Sequence, residues 1–187
     1  MDEERKLAEL AREGDRSAFE ELVARYGKRI FHMAHSMLGD RAGAEDICQE
    51  IWTKVYFSLN KFKGKSRFYT WLYRLAVNAC LDELRRRKRT AAISLEDLGI
   101  KHQPETQDPN AFERIERLEM SQIAWKLLVK LPADLKATMI CREIDGFGYK
   151  QIAQIMKCRV GTVRSRLFRA REQLRENFRT YIEEGRE

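Results

Sequence analysis

Proline is scarce in this chain, with 3 in 187 residues alongside 10 glycines. So few breakers suit long helices. No apolar run approaches the length that spans a bilayer. The charged opening MDEERKLAEL is no signal peptide, so a cytoplasmic protein is expected. Cys48, Cys80, Cys141 and Cys158 stand far apart without a C-x-x-C spacing. They read as reduced, buried thiols rather than metal ligands or disulfides. Of the 3 histidines, His32 and His35 sit three apart on one helix. No Cys, Asp or Glu close in sequence completes a site with them. No metal, cofactor, small-molecule substrate or catalytic constellation is therefore expected, and the chain does not read as an enzyme.

What is present is charge. Lys and Arg number 36 against 29 Asp and Glu, a net charge of +7, which points to a polyanion as partner. The most informative stretch is residues 149–175, YKQIAQIMKCRVGTVRSRLFRAREQLR. Tyr149, Ile152, Ile155 and Met156 repeat at helical spacing, Lys157 to Gly161 break the pattern, and Val163, Leu167, Ala170 and Leu174 start a new stripe. Two short helices around a tight turn form a helix-turn-helix. At about 100° per residue, Thr162, Ser165, Phe168, Arg169 and Glu172 point away from the second stripe, flanked by Arg164, Arg166 and Arg171. Phe168 among arginines is the informative position. An arginine fork can read guanine, and an apolar ring can meet a thymine methyl.

Earlier in the chain, residues 2–13 read as a short helix ending at Gly14. Ser17 and Glu20 match a capping box, opening a helix whose apolar face runs from Phe19 through Leu22, Tyr26, Ile30 and Met33 to Met37. A third helix is expected from Gly43 to Leu59, with Ala44, Ile47, Cys48, Ile51 and Val55 inward. Its opposite face gathers Asp46, Gln49, Glu50, Thr53 and Phe57. Carboxylates, an amide and an exposed ring on a convex helix suit docking of a basic protein patch; acid–base chemistry would need a pocket. Residues 60–67, NKFKGKSR, form a basic loop, and Ser66 is the expected cap of the next helix. Phe68, Tyr69, Trp71 and Tyr73 crowd its first turns, while Trp71, Arg74, Asn78 and Arg85 share a face. Rings beside a cationic track suit the stacking of unpaired bases. Residues 90–111 lose all periodicity, contain Pro104 and Pro109, and read as a flexible linker. Helices resume at Phe112, and the polar tail past Phe178 is expected to fray.

The fold expected is all-α: two small helical domains, residues 1–89 and 112–187, joined by the 90–111 linker. An autonomous helix-turn-helix repressor would use residues 149–175 but leave the 62–89 aromatics and the 46–57 face idle.

Three segments, AEDICQEIWTKVY at 44–56, FKGKSRFYTWLYRLAVNACLDELRRRKR at 62–89 and REIDGFGYKQIAQIMKCRVGTVRSRLFRARE at 142–172, together resemble the extracytoplasmic-function (ECF) group of the sigma-70 family. The run VGTVRSRLFRARE is similar to the sigma-E type. The resemblance spans roughly residues 15–89 and 112–178. It implies a transcription initiation factor that binds core RNA polymerase, directs it to promoters and helps melt them.

The resemblance also implies roles residue by residue. Asp46, Gln49, Glu50, Thr53 and Phe57 would grip the β′ clamp helices, with the β flap as a second polymerase contact. Phe62, Lys63, Lys65, Ser66, Tyr69, Trp71, Tyr73, Arg74, Asn78 and Arg85 would recognise and open the −10 element. Arg159, Thr162, Arg164, Ser165, Phe168, Arg169 and Arg171 would bind the −35 element. An anti-sigma factor, commonly membrane-linked, would be the regulator, holding the chain at the inner membrane or releasing it to the nucleoid. Gly148, Lys157 and Arg159 depart from the family pattern, where a hydroxyl cap, a small or polar turn residue and a proline are frequent.

Overall fold

Two aspartates punctuate the first half of the chain. In the computed structural model, which describes residues 2–64, 66–93 and 123–184, helix α1 spans Asp2–Arg12. Helix α2 spans Arg16–Leu38, and its cap is Asp15, whose Oδ1 accepts the Ala18 N–H at 3.0 Å. Helix α3 spans Arg41–Ser58, and Asp40 Oδ1 accepts the Gly43 N–H at 2.6 Å. The expected cap at Ser17 is thus displaced by two residues to Asp15, and α3 starts at Arg41, two residues before the expected Gly43. A carboxylate at a helix N-terminus gains from both the free N–H groups and the helix dipole, so it outcompetes a nearby serine.

A short 3-10 turn, Leu59–Lys61, leads into the loop before α4, which spans Phe68–Ile93. The described helix therefore continues four residues past Arg89. Its first turn is not closed by Ser66. Glu4 Oε1, from α1, accepts the Tyr69 N–H at 2.8 Å. The apolar stripes of α2, α3 and α4 converge as their periodicity requires, with Leu22, Ile30, Met33, Met37, Ala44, Ile51, Val55, Phe68, Leu72, Tyr73 and Ala76 at most 1% exposed.

The second half contains α5 (residues 123–129), α6 (Ala133–Met139), a π turn (Ile140–Ile144), α7 (Tyr149–Ile155) and α8 (Val160–Glu184). The expected helix start at Phe112 and most of the linker lie outside the described residues, as does Lys65. Helix α8 does not end near Phe178 but continues to Glu184, because no breaker interrupts it and Phe178, Tyr181 and Ile182 are still partly covered. Among the described residues there is no strand and no helix long and apolar enough to cross a membrane.

The two halves pack directly on one another and share one hydrophobic core. The π turn and Gly146, at φ 71°, swing Phe147 onto α4. Its ring lies 5.4 Å from Tyr69, near-parallel, and 4.7 Å from Tyr73, edge-on. Asp145 accepts a hydrogen bond from the Tyr73 hydroxyl. Lys136, only 4% exposed, donates to the Met37 carbonyl at the end of α2 at 3.2 Å. Burial pushes its ammonium below the usual lysine pKa. His35 stacks on Trp125 at 5.5 Å.

Candidate protein and nucleic-acid interfaces

The outer face of α3 is set by the period of the helix. Ile47, Ile51 and Val55 turn inward, so Asp46, Gln49, Glu50, Thr53 and Phe57 all lie exposed, Phe57 at 74%. Thr53 Oγ1 donates to the Gln49 carbonyl at 2.8 Å, and Glu50 pairs with Lys54. Beside this row lie residues that sequence periodicity did not single out. Trp52 and Tyr56 pack edge-on against Phe19 of α2 at 6.1 and 5.2 Å, and Tyr56 meets Phe57 at 5.5 Å. Tyr56 is 57% exposed. The face is a polar row bordered by an aromatic ladder, and the ladder needs Phe19 from another helix.

The aromatics before and within α4 behave differently. Phe62, Phe68 and Trp71 form a closed triangle with centroid separations of 5.5, 5.3 and 5.6 Å. Phe62 and Trp71 are 5% and 6% exposed, and Tyr73 is fully buried. Tyr69 is sandwiched between Tyr26 at 5.2 Å and Phe147, with the Arg29 guanidinium 5.7 Å from its ring. Burial drives the Tyr69 and Tyr73 hydroxyls well above the usual tyrosine pKa, with Asp145 adding to the effect. The expectation that Phe68, Trp71 and Tyr73 offer rings for base stacking is therefore corrected for this arrangement, and Phe62, expected in the −10 set, is buried with them. Aromatic faces bury large apolar area, and here the fold itself takes them up.

The polar members of that set among the described residues stay accessible. Lys63 and Arg85 are exposed, and Ser66, Arg74 and Asn78 are partly so. Lys61, Phe62, Lys63, Ser66, Thr70, Trp71 and Arg74 line a cavity of about 300 Å³, closed on one side by Gln154 of α7. Three cations and two aromatic residues thus line one small space. Arg85 pairs with Asp82 at 2.5 Å, and Arg87 bridges Glu83 at 2.8 Å and Asp40 at 2.5 Å. The cationic end of α4 is partly neutralised by its own acids. Arg87 and the Gly43 N–H hold the Asp40 carboxyl below its usual pKa although burial opposes them.

Helix α8 carries the second nucleic-acid face. Val163, Leu167 and Ala170 are at most 1% exposed, while Arg164, Ser165, Phe168 and Arg169 are open, Phe168 at 66%. Thr162 is half-buried and accepts from Ser165 Oγ at 3.0 Å. Arg159 stands exposed in the turn. Arg171 is engaged by Glu143 at 2.8 Å, and Arg166 by Asp134 at 2.6 Å. These two arginines fix α8 to α6 and the π turn rather than extend freely. Gly148 lacks a capping side chain, but Gln151 Oε1 reaches back to its N–H at 3.0 Å, so α7 keeps half of a capping box.

An apolar groove of about 550 Å³ runs between α5, the π turn and the far half of α8, lined by Ile123, Leu127, Leu128, Ile144, Leu174 and Phe178 among others. Ile144 is 55% exposed. Among the described residues no cluster of His, Cys, Asp or Glu has metal-site geometry.

Comparison with known proteins follows the same division. Residues 22–90 match Sigma-70 region 2, and residues 121–174 match Sigma-70, region 4. The RNA polymerase sigma-H factor of Pseudomonas aeruginosa is 34% identical over 192 residues, covering 99% of this chain and 98% of that protein. The ECF RNA polymerase sigma-E factor of Escherichia coli K12 is 39% identical over 173 residues, covering 89% of each. Two solved structures share the fold at 24% identity. CnrH in complex with the cytosolic domain of CnrY has a TM-score of 0.69 and covers 95% of this chain and 97% of its own. The sigma factor RpoE in complex with the anti-sigma factor NepR from Bartonella quintana has a TM-score of 0.70 and covers 86% and 96%. Two region matches in the right order and full-length relatives of this identity make the chain a member of the sigma-70 family, in its ECF group.

Proposed function

We propose that this ECF sigma factor divides its work among the faces described above. The open row Asp46, Gln49, Glu50, Thr53 and Phe57, with Trp52 and Tyr56 beside it, binds the β′ clamp helices of core RNA polymerase. The apolar groove under α5 and α8 takes the β flap. The cavity before α4, with Lys63 and Arg74 in its wall and Asn78 further along the same helix, receives an unpaired base of the −10 element. The Arg164, Ser165, Phe168, Arg169 face reads the −35 element. Residues 1–89 and 112–187 serve as the two domains, with 90–111 as the connection.

The reading rests above all on α8, where four side chains of the right chemistry project from one face while three neighbours are buried. Phosphate contacts then set register, and base-edge contacts carry sequence. The chain is a specificity factor, not a catalyst, and acts in the cytoplasm. The sigma-fold structures solved with CnrY and NepR support an anti-sigma factor as its regulator.

Use of the −10 site by Tyr69, Trp71 and Tyr73 requires the second domain to leave α4, since Phe147 covers two of those rings. Run-off transcription with core polymerase on a promoter library tests the whole assignment. The chain should confer initiation at a subset of sequences sharing two elements. Asp46→Ala with Gln49→Ala should weaken core binding while leaving helix content unchanged. Protection of a DNA site by the chain alone, without initiation in the presence of core, would favour the repressor reading instead.

A further inference from the structure

Helix α1 lies outside the residues matched to Sigma-70 region 2, which begin at 22, and carries none of the three motifs. It is nevertheless built into the melting site. Ala8 and Ala11 are 0% and 6% exposed against the core. That seating brings the polar edge of α1 to the loop before α4. Glu4 Oε1 accepts the Tyr69 N–H at 2.8 Å across 65 positions of sequence. Burial first, and then the Glu4 carboxylate, push the neighbouring Tyr26 hydroxyl up to about 12. Tyr26 in turn stacks on Tyr69 at 5.2 Å. The next residue, Arg5, lies along Gly64, where its guanidinium is 3.8 Å from the position a Cβ would occupy. Gly64 has φ 65°, the turn of the basic loop.

We propose that Glu4 is a positioning residue for promoter melting. Its carboxylate closes the first turn of α4 and, with Arg5 beside Gly64, holds the described part of the preceding loop against the start of that helix, so that Lys63, Ser66 and Arg74 face one cavity. The physical need is clear. A helix start leaves several N–H groups without partners, and an acceptor there that also carries negative charge favours the helix dipole. Here that acceptor is long-range, so the loop and the helix start hold their geometry only while α1 is docked.

The inference rests on the −10 reading given above, and the test separates the two. Full-length chain with core polymerase is assayed for opening by permanganate reactivity of unpaired thymines. Fully paired promoter is compared with the same promoter carrying a mismatched bubble, for Glu4→Ala, Glu4→Gln and, in parallel, Asn78→Ala. Loss of a helix-capping acceptor predicts opening on paired DNA about fivefold slower for Glu4→Ala. Rates on the bubble template and the affinity for core should match the parent. Glu4→Gln keeps an acceptor oxygen and should recover most of the rate. Equal losses on both templates, a lowered core affinity, or an unaltered opening rate for Glu4→Ala would each overturn the positioning role. If Asn78→Ala itself shows equal losses on both templates, the melting-site reading fails and this inference with it. If Asn78→Ala is rescued by the bubble and Glu4→Ala is not, only the positioning role falls.

Discussion

Helices α4 and α8 both carry aromatics among cations, yet the fold treats them in opposite ways. On α8, one ring, Phe168, stands 66% exposed, while Val163, Leu167 and Ala170 beneath it are buried. On α4, Tyr73 is fully buried and Tyr69 is clasped between two rings, one of them Phe147 from the second half of the chain. A lone aromatic opposite an apolar stripe has no intramolecular partner within its own helix. A crowd of aromatics finds partners, because each ring brings area that folding buries. The face of α8 proposed to read DNA is open as it stands. The α4 face is the seat of the second half of the chain, so the −10 role proposed for its rings needs that seat vacated.

The largest effect should come from breaking the seat. Phe147→Ala removes a ring that is 4% exposed and packs on both Tyr69 and Tyr73. A buried Phe→Ala change costs about 3–5 kcal/mol, part of it borne by the contact between the halves. The expected result is a larger radius of gyration by small-angle scattering and increased hydrogen exchange at the start of α4. An unchanged scattering profile would mean that Phe147 does not hold the halves together.

The contrast is sharpened on the other helix. Phe168→Ala and Arg169→Ala should leave thermal stability alone, because both side chains are exposed. Each should relax preference at one base pair of the −35 element at a cost of about 1–3 kcal/mol. Arg159→Ala should lower binding to all sequences and flatten its salt dependence, as loss of a phosphate contact does. Initiation by holoenzyme on a saturated −35 library at two salt concentrations distinguishes them. A shift in base preference from Arg159→Ala, with none from Phe168→Ala or Arg169→Ala, would put a different face of α8 in the groove.

These differences track what a sequence makes visible. The buried and open faces of α3 and α8 follow from a 3.6-residue period, which is local, and Asp46, Gln49, Glu50 and Phe168 lie where that period puts them. The cap of α2 was harder, since Asp15 competes with Ser17, a residue of similar capping chemistry, and the carboxylate's charge favours it. What stayed hidden was long-range. Nothing near Ser66 indicates that Glu4 closes α4, and nothing near Tyr73 indicates Phe147 or Asp145. Trp52 and Tyr56 were missed for the same reason, because the ladder they form needs Phe19.

A gentler probe of the seat is Asp145, which accepts from the Tyr73 hydroxyl. Burial raises the pKa of its carboxyl, although the Tyr73 hydrogen bond and Arg29 oppose the rise. Tyr69 and Cys141 are further titratable groups coupled to this cluster. A carboxyl raised on folding binds more protons in the folded state. Its contribution is full below the unfolded pKa and is lost as pH rises through the folded one. Asp40 and Glu83, both lowered, slope the opposite way, so the parent profile mixes the signs. Asp145→Asn should remove only the falling component. Urea midpoints measured from about pH 3 to 7 should then rise more steeply with pH in the variant than in the parent. Parallel profiles would show that Asp145 does not titrate differently on folding.

The smallest change tests the α8 side of the comparison, through the turn that aims the reading face. Lys157 has φ 48°, the one non-glycine residue among those described with a positive value. It follows the last turn of α7, and the next residue closes the motif, Cys158 N–H donating to the Ala153 carbonyl at 3.0 Å. That is the position where glycine usually ends a helix, because a Cβ in the left-handed region crowds the carbonyl that follows. Lys157 is exposed, so its side chain contributes little packing to set against the strain. Lys157→Gly should therefore stabilise the second domain by about 0.5–1 kcal/mol, once the greater freedom of glycine in the unfolded chain is offset. The measurement is the urea midpoint at constant m-value, with −35 preference measured alongside. The base preference should not move, since the turn keeps its path. A lower midpoint would mean that Lys157 makes a stabilising contact outweighing its backbone strain, and a changed preference would mean that the turn, and not only the face of α8, sets how the helix enters the groove.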